Sequence, residues 1–217
     1  KVQYKGDRIF INTGAVPVML PIPGLKESKY ILDSTQAMDE KKMPKNLTII
    51  GAGYIGLEFA SMFAKYGSKV TVLDHNKEFL AREDEDISNA VRKDMEDAGI
   101  KFELGVDIEK ITDEITDAKI TYQINGKRKT INADRILVAT GRKPNTENLG
   151  LENTAIETTD RGAIKVDDFL RTTVDNVWAI GDVKGGLQFT YISLDDFRII
   201  KDQLFGTGAR MVSDRKV

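Results

Sequence analysis

The chain has 217 residues, which suits one large or two small domains with a substantial buried core. Its net charge of −2 gives no electrostatic basis for binding nucleic acid or an anionic membrane, and no apolar run is long enough to cross a bilayer. The absence of cysteine excludes a disulfide scaffold, a zinc–thiolate site and a thiol nucleophile within these residues, so we predict a cytoplasmic protein with no metal site.

The first 43 residues do not have the pattern of a complete domain. A strand is predicted at Asp7–Gly14 (DRIFINTG), and the segment AVPVMLPIPG that follows contains prolines, which break a helix or a central strand. Ser34–Met43 has a helical pattern that Pro44 ends. We therefore expect residues 1–43 to be one piece of a domain that is completed elsewhere in the chain.

The next segment, LTIIGAGYIGLE, is typical of a dinucleotide-binding βαβ unit. The predicted order is a strand at Asn46–Ile50, the turn Gly51-x-Gly53-x-x-Gly56, a helix at Tyr54–Tyr66 and a strand at Lys69–Asp74. In such a turn the first glycine permits the tight bend, the second lets the backbone approach a pyrophosphate, and the third lets the helix pack on the strand. The helix N-terminus then offers N–H groups and a partial positive charge to the phosphates.

Asp74, at the end of the second strand, is the candidate for cofactor specificity. A carboxylate there can accept both adenosine ribose hydroxyls and repels the 2′-phosphate of NADP, so we predict that NAD(H) is preferred. His75 and Lys77 are near enough to weaken that preference. The alternative is an acid that merely ends a strand. His75 is the sole histidine, and we expect a surface loop residue rather than a catalytic base.

The βαβ unit continues into a larger α/β domain. A helix is predicted at Asp84–Ala98 and a strand at Ile100–Leu104, after which alternating residues in Val106–Ala133 favour an antiparallel meander with a hairpin at Asn125-Gly126. Asp134–Thr140 then has the pattern of a buried strand that ends at Gly141. We predict that residues 44–145 form one domain, with a mostly parallel sheet and a small antiparallel insert.

The remaining residues, 146–217, carry no second glycine-turn βαβ unit. Strands are predicted at Ala163–Val166 and Asn176–Ile180, and a helix at about Tyr191–Phe205 is stopped by Gly206. We expect residues 1–43 and 146–217 to be two pieces of a second, incomplete domain into which the first domain is inserted.

Two features of these outer pieces suggest a ligand. Asp182 follows the short hydrophobic strand in NVWAIGDV, and a carboxylate just past a buried strand end lies where α/β folds hold ligands. A turn aspartate is the alternative. In addition, INTGAVP and VATGRKPN form a near-repeat in which a strand ends at a glycine, Gly14 or Gly141, with a proline three residues later.

These motifs together resemble the pyridine nucleotide–disulfide oxidoreductase family of flavoproteins, which includes glutathione reductase, dihydrolipoamide dehydrogenase and mercuric reductase. The resemblance rests on INTGAVPVMLPIPG, IIGAGYIGLE, ILVATGRKPN and NVWAIGDV, which occur in the family's order and spacing over essentially the whole chain. Within the family, GDVKGGLQFTYISLDDFRI is most similar to the reactive-chlorine-resistance flavoproteins of the RclA type. The resemblance implies a Rossmann-like NAD-binding domain with an antiparallel meander, inserted in a partial FAD-binding domain.

The resemblance also implies roles for individual residues. Tyr54 matches an aromatic gate that covers the flavin until nicotinamide displaces it, and Glu58 matches an acid that pairs with a lysine near the flavin ring. Asp182 and Gly14 correspond to FAD-binding positions. The positions implied for NAD are those of the glycine turn and three further residues: Gly51, Ala52, Gly53, Tyr54, Ile55, Gly56, Glu58, Asp74, Val106 and Gly141.

The family's N-terminal FAD-binding glycine motif, its redox cysteine pair and its C-terminal dimerisation domain with a His–Glu pair have no counterpart here. We therefore expect an internal fragment that binds NAD(H), holds FAD poorly or not at all, and contains no catalytic residue of its own. The longer parent is expected to be a homodimer that passes hydride from NADH to FAD, then electrons to a redox disulfide and a small-molecule acceptor. The alternatives are a stand-alone NAD-binding or redox-sensing module, and a disulfide-independent flavin NADH oxidase or peroxidase.

Overall fold

The computed structural model describes residue 2 and residues 4–216, which adopt a mixed α/β fold. The chain divides into two compact units: a central unit of residues 17–141, and an outer unit made from residues up to 16 and from 142 onward. Among the described residues, every helix is too short or too polar to span a bilayer.

The strands and helices of the described residues follow in chain order. The strands are β1 Ile9–Ile11, β2 Ala15–Pro17, β3 Ile31–Leu32, β4 Asn46–Ile50, β5 Lys69–Asp74, β6 Lys101–Leu104, β7 Asp107–Asp113, β8 Ala118–Ile124, β9 Lys127–Ala133, β10 Arg135–Val138, β11 Arg142–Pro144 and β12 Val177–Ala179. The α-helices are α1 Ser34–Met38, α2 Tyr54–Lys65, α3 Glu85–Asp97 and α4 Thr190–Phe205, and short 3-10 helices occupy Leu151–Asn153, Gly181–Lys184 and Val212–Asp214.

The central unit contains a five-stranded parallel sheet in the order β3-β10-β4-β5-β6. Strand β4 is buried along almost its whole length, as expected for a central strand of a parallel sheet covered on both faces. On one face, α2 packs its apolar side chains Leu57, Ala60 and Phe63 into the same core as Leu47 and Ile49 of β4. The glycine turn therefore joins the two best-packed elements of this unit.

The second sheet of the central unit is the antiparallel meander β7-β8-β9. Asn125 and Gly126 join β8 to β9 with φ of 50° and 72°, the left-handed pair that a tight hairpin turn requires. Ile111 and Ile120 of the meander pack with Val138 on the other face of the parallel sheet. The meander thus covers that face instead of a helix.

The outer unit is built around two short strand pairs and α4. Strand β1 pairs in parallel with β12, and β2 pairs with β11. Leu170, Trp178 and Ile199 form one buried cluster, in which α4 packs on β12. Phe10 of β1 stacks on Trp178 with ring centroids 5.2 Å apart.

The unit boundary differs from the predicted domain boundary because residues 17–43 pack with the central unit. Strand β3 is an edge strand of the parallel sheet, and Leu25 and Tyr30 are buried in the core that the meander shares. Sequence periodicity did not reveal this pairing, since β3 has only two residues.

Two predicted elements are shorter or absent. The helix predicted at Ser34–Met43 ends at Met38, because Ala37 is its last buried side chain and the charged residues after it offer no apolar face to prolong the helix. The strand predicted at Ala163–Val166 is not a ladder strand: Ile164 forms a single antiparallel bridge with Thr158. Its burial explains the apolar pattern without a sheet.

Candidate functional site

Gly51 and Gly56 are explained by close packing around the turn between β4 and α2. Gly51 has φ of +109°, and a Cβ there would overlap the carbonyl oxygen of Ala139 at the end of the neighbouring strand. A Cβ on Gly56 would overlap the carbonyl oxygen of Gly51. Both positions therefore require glycine for the fold itself, whether or not a ligand binds.

Gly53 differs because nothing in the described chain requires it to be glycine. It is exposed, its φ is −76°, and no described atom lies within 4 Å of the place where its Cβ would stand. It is also the N-cap of α2, and it supplies no side chain to cap the helix. The N-terminal end of α2 thus presents backbone and a partial positive charge to open space, which fits an anionic ligand.

Asp74 lies beside this turn and holds it in place. Its Oδ2 accepts a hydrogen bond from the Ala52 N–H at 2.5 Å, and its Oδ1 accepts one from the Asn76 N–H at 2.7 Å. The side chain is half-buried, and each carboxylate oxygen keeps a further lone pair. Asp74 is therefore a structural acid that retains acceptor capacity for ribose hydroxyls.

The loop after Asp74 returns to the same turn. The Val106 N–H donates to the Asp74 carbonyl at 3.0 Å, and the side chain of Val106 is buried. His75 and Lys77 are both exposed. Gly141, at the end of the segment that follows β10, is exposed with φ of +112°.

Tyr54, Ile55 and Glu58 lie on the first turns of α2. The exposed Tyr54 hydroxyl donates to the carboxylate of Glu83, and this hydrogen bond raises the pKa of the Tyr54 phenol. Ile55 is half-buried. Glu58 is exposed and makes no hydrogen bond or ion pair with a described residue, so the lysine expected for it is not found among them.

The outer unit carries the two positions matched to FAD. Gly14 has φ of +72° and open space where a Cβ would stand, and its carbonyl accepts the Asn145 N–H at 2.9 Å. Asp182 is half-buried and makes no side-chain hydrogen bond to a described residue. Because Ile11 of β1 is in register with Ala179 of β12, both positions follow the same end of this parallel pair. An open backbone and a carboxylate without a partner at one strand end fit a polar ligand.

Sequence reasoning missed a buried ionic cluster next to Asp182. Asp196 on α4 is fully buried and accepts from Arg215 at 2.6 Å and from the Gly181 N–H at 2.8 Å. Burial tends to raise the pKa of the adjacent Asp195, but hydrogen bonds from Arg215 and Arg210 outweigh it and lower that pKa. A signal was present, because Asp196 follows the buried Ile192 by four residues and so lies on the apolar face of the helix.

Comparisons with known proteins are consistent along the chain. The family profile described as pyridine nucleotide-disulphide oxidoreductase matches residues 1–196. A probable pyridine nucleotide-disulfide oxidoreductase, RclA, of Escherichia coli strain K12 is 46% identical, over 99% of this chain and 48% of its own length. A mercuric reductase of Staphylococcus aureus is 34% identical, over 100% of this chain and 40% of its own length.

A solved structure gives the same result. The HOCl-induced flavoprotein disulfide reductase RclA from Escherichia coli superposes with a TM-score of 0.93 at 46% identity, over 99% of this chain and 48% of that one. The chain therefore spans about half the length of the relatives it matches.

Proposed function

The chain belongs to the pyridine nucleotide-disulphide oxidoreductase family, and on that premise we propose that residues 44–145 bind NAD(H) within an FAD-dependent NAD(P)H oxidoreductase. Residues 1–43 and 146–217 are proposed to contribute part of the FAD-binding domain. In the whole protein, a hydride passes from NADH to the flavin and electrons then pass to a redox disulfide and an acceptor. We infer from the family alone that the whole protein is a cytoplasmic homodimer.

The observation that carries the proposal is the open N-terminal end of α2 at Gly53. Two of the three turn glycines are accounted for by packing, and only Gly53 faces open space. A side chain at Gly53 would cost the fold little, so a requirement for glycine there would have to come from a ligand that approaches the backbone. A pyrophosphate is the group that such a turn and helix end accommodate.

Asp74 supports the choice of NAD over NADP. Its carboxylate is fixed by two backbone N–H groups and keeps acceptor capacity for two ribose hydroxyls. A 2′-phosphate would place a further negative charge against a carboxylate that cannot turn away, because both of its oxygens are already held. His75 and Lys77 are exposed nearby and reduce the penalty without removing it.

Gly14 and Asp182 support an FAD role for the outer unit. Open backbone at Gly14 would admit part of the cofactor, and the carboxylate of Asp182 has acceptor capacity that no described residue uses. The Escherichia coli relative of known structure is described as a flavoprotein, which agrees with this assignment.

The test is titration of the purified chain with NADH, followed by the change in nicotinamide fluorescence. NADH is expected to bind the unmutated chain and to lose all measurable binding in Gly53→Val, because the valine side chain occupies the place of the pyrophosphate. Lys65→Val is the matched control, since it places a valine on the same helix at its exposed far end. Retained NADH binding by a folded Gly53→Val chain would contradict the proposal.

A further inference from the structure

The strongest unexplained feature of the outer unit is a charged side chain in its core. Asp196 of α4 is 0% exposed, and it faces two cations that are themselves nearly buried, Lys184 and Arg215. Its Oδ1 accepts from the Arg215 guanidinium at 2.6 Å, and its Oδ2 lies 3.5 Å from the Lys184 ammonium. A buried carboxylate is costly unless it is paired and hydrogen-bonded, and here it is both.

The second acceptor position of Asp196 is used on the turn that follows β12. Its Oδ2 accepts the Gly181 N–H at 2.8 Å, which is the first N–H of the 3-10 helix Gly181–Lys184. The residue before this helix, Ile180, supplies no side-chain cap. Asp196 therefore caps the helix from a distance, and the capped residue directly precedes Asp182.

The turn has no other way to adopt this position without change. Gly181 has φ of +69°, and a Cβ there would stand 2.9 Å from Asn12 Oδ1 and 3.1 Å from Ser193 Oγ. The Gly181 backbone is thus pressed between the end of β1 and α4. A shift of the carboxylate on α4 would move the backbone that carries Asp182.

Arg215 is the residue that fixes the carboxylate. Its Nη2 donates to Asp196 and its Nε donates to Asp195 at 2.8 Å, so one planar guanidinium bridges two adjacent acids of α4. Arg210 lies in the same C-terminal segment and pairs with Asp195, but not with Asp196. The two arginines differ in only this respect that matters for the turn.

We propose that Asp196 is a positioning residue for the Gly181–Asp182 turn, and that Arg215 holds its carboxylate in place. The functional consequence rests on the proposed FAD role of Asp182: when Arg215 is lost, the turn moves and FAD binding weakens. The geometry of the turn itself does not depend on that role.

Amide hydrogen exchange of the 217-residue chain, measured residue by residue by NMR, tests the proposal. In Arg215→Met, exchange at Gly181 is expected to be faster by about tenfold, the loss of one charge-assisted hydrogen bond. Arg210→Met is the matched control, since it removes a cation from the same segment without touching Asp196, and Gly181 should exchange as in the unmutated chain. Arg215→Lys should restore much of the protection, because an ammonium can still donate to the carboxylate.

The amides of β4, in the other unit, report whether any variant loses its fold as a whole. If Gly181 keeps its protection in a folded Arg215→Met chain, or loses it equally in Arg210→Met, the proposal is overturned. Addition of FAD then separates this proposal from the one it rests on. FAD should shift the Asp182 amide of the unmutated chain at lower concentration than that of Arg215→Met. No shift in the unmutated chain would count against the FAD role, while the exchange rates still decide the role of Asp196.

Discussion

The carboxylate of Asp74 accepts the backbone N–H of Ala52 at 2.5 Å, so the residue proposed to select the cofactor also fixes the turn that would hold its phosphates. A substitution at Asp74 therefore changes two things, the charge at the ribose position and the order of the turn. The two effects can be separated, because asparagine keeps one carbonyl-type acceptor and removes only the charge.

We expect NADH to bind the unmutated chain more tightly than NADPH by about tenfold or more, the size of a single unfavourable charge contact. In Asp74→Asn this ratio should fall towards one, chiefly because NADPH binds better. In Asp74→Ala the affinity for both cofactors should also fall, since Ala52 loses its acceptor. Isothermal titration of both cofactors measures the two affinities.

The control for charge alone is Asp86→Asn, which neutralises an exposed acid at the start of α3. It should leave the ratio unchanged. Equal affinities of NADH and NADPH for the unmutated chain would refute the specificity argument at its first step.

The three turn glycines should separate by stability. In Gly56→Ala, the new Cβ overlaps the Gly51 carbonyl, so we expect the free energy of unfolding to fall by about 2–3 kcal/mol, the range for overpacking. In Gly53→Ala the Cβ enters open space, and the expected cost is about 1 kcal/mol or less, from the poorer N-cap. Urea unfolding of the two variants gives the comparison. Equal destabilisation would mean that Gly53 is also a packing glycine.

The ion pair between Glu40 and Arg135 should make stability depend on pH. The Arg135 Nε donates to Glu40 at 2.6 Å, and this hydrogen bond lowers the pKa of the Glu40 carboxyl below its ordinary value of 4.5. Because the folded pKa is lower than the unfolded one, the contribution is fully present above pH 4.5 and is lost as the pH falls through the folded value.

Glu40→Gln should therefore lower the free energy of unfolding by about 2 kcal/mol at neutral pH, the value of a hydrogen bond to a charged group. The difference between the two chains should shrink below pH 4.5. Urea unfolding at a series of pH values measures it, with Glu152→Gln as a control on an exposed acid outside any ion pair of the described residues. A difference that stays constant down to acid pH would contradict the assignment.

The purified chain should be colourless. Only Gly14 and Asp182 are assigned to FAD, and the chain spans about half the length of its relatives, so FAD should bind too weakly to survive purification. Visible absorbance after gel filtration, with and without added FAD, is the measurement. Stoichiometric yellow flavin in the untreated protein would show that the FAD site is more complete than proposed.

Local patterns predicted the central elements well because each has its own signal. A buried run of residues before Gly51, a helical period after it and a second run up to Asp74 require no knowledge of distant contacts, and the structure has β4, α2 and β5 there. The hairpin at Asn125-Gly126 was equally local, since its two left-handed residues favour only a tight turn.

Long-range contacts explain what the sequence did not reveal. Strand β3 exists because β10 lies beside it, and two residues carry no periodicity. Ile164 is buried without belonging to a sheet, so its apolar neighbours gave a false strand. Asp196 was overlooked because an acidic pair on a helix normally faces water, whereas here Arg215 makes burial possible from nineteen residues away.

The sheet order β3-β10-β4 sets a time limit on folding. Strand β3 has β10 as its hydrogen-bonded neighbour, yet more than a hundred residues separate the two along the chain. Closing so long a loop is entropically costly and slow. During synthesis on the ribosome, residues 17–43 must therefore wait without their sheet partner until β10 has emerged, and this nascent segment is where we expect chaperones to be needed most.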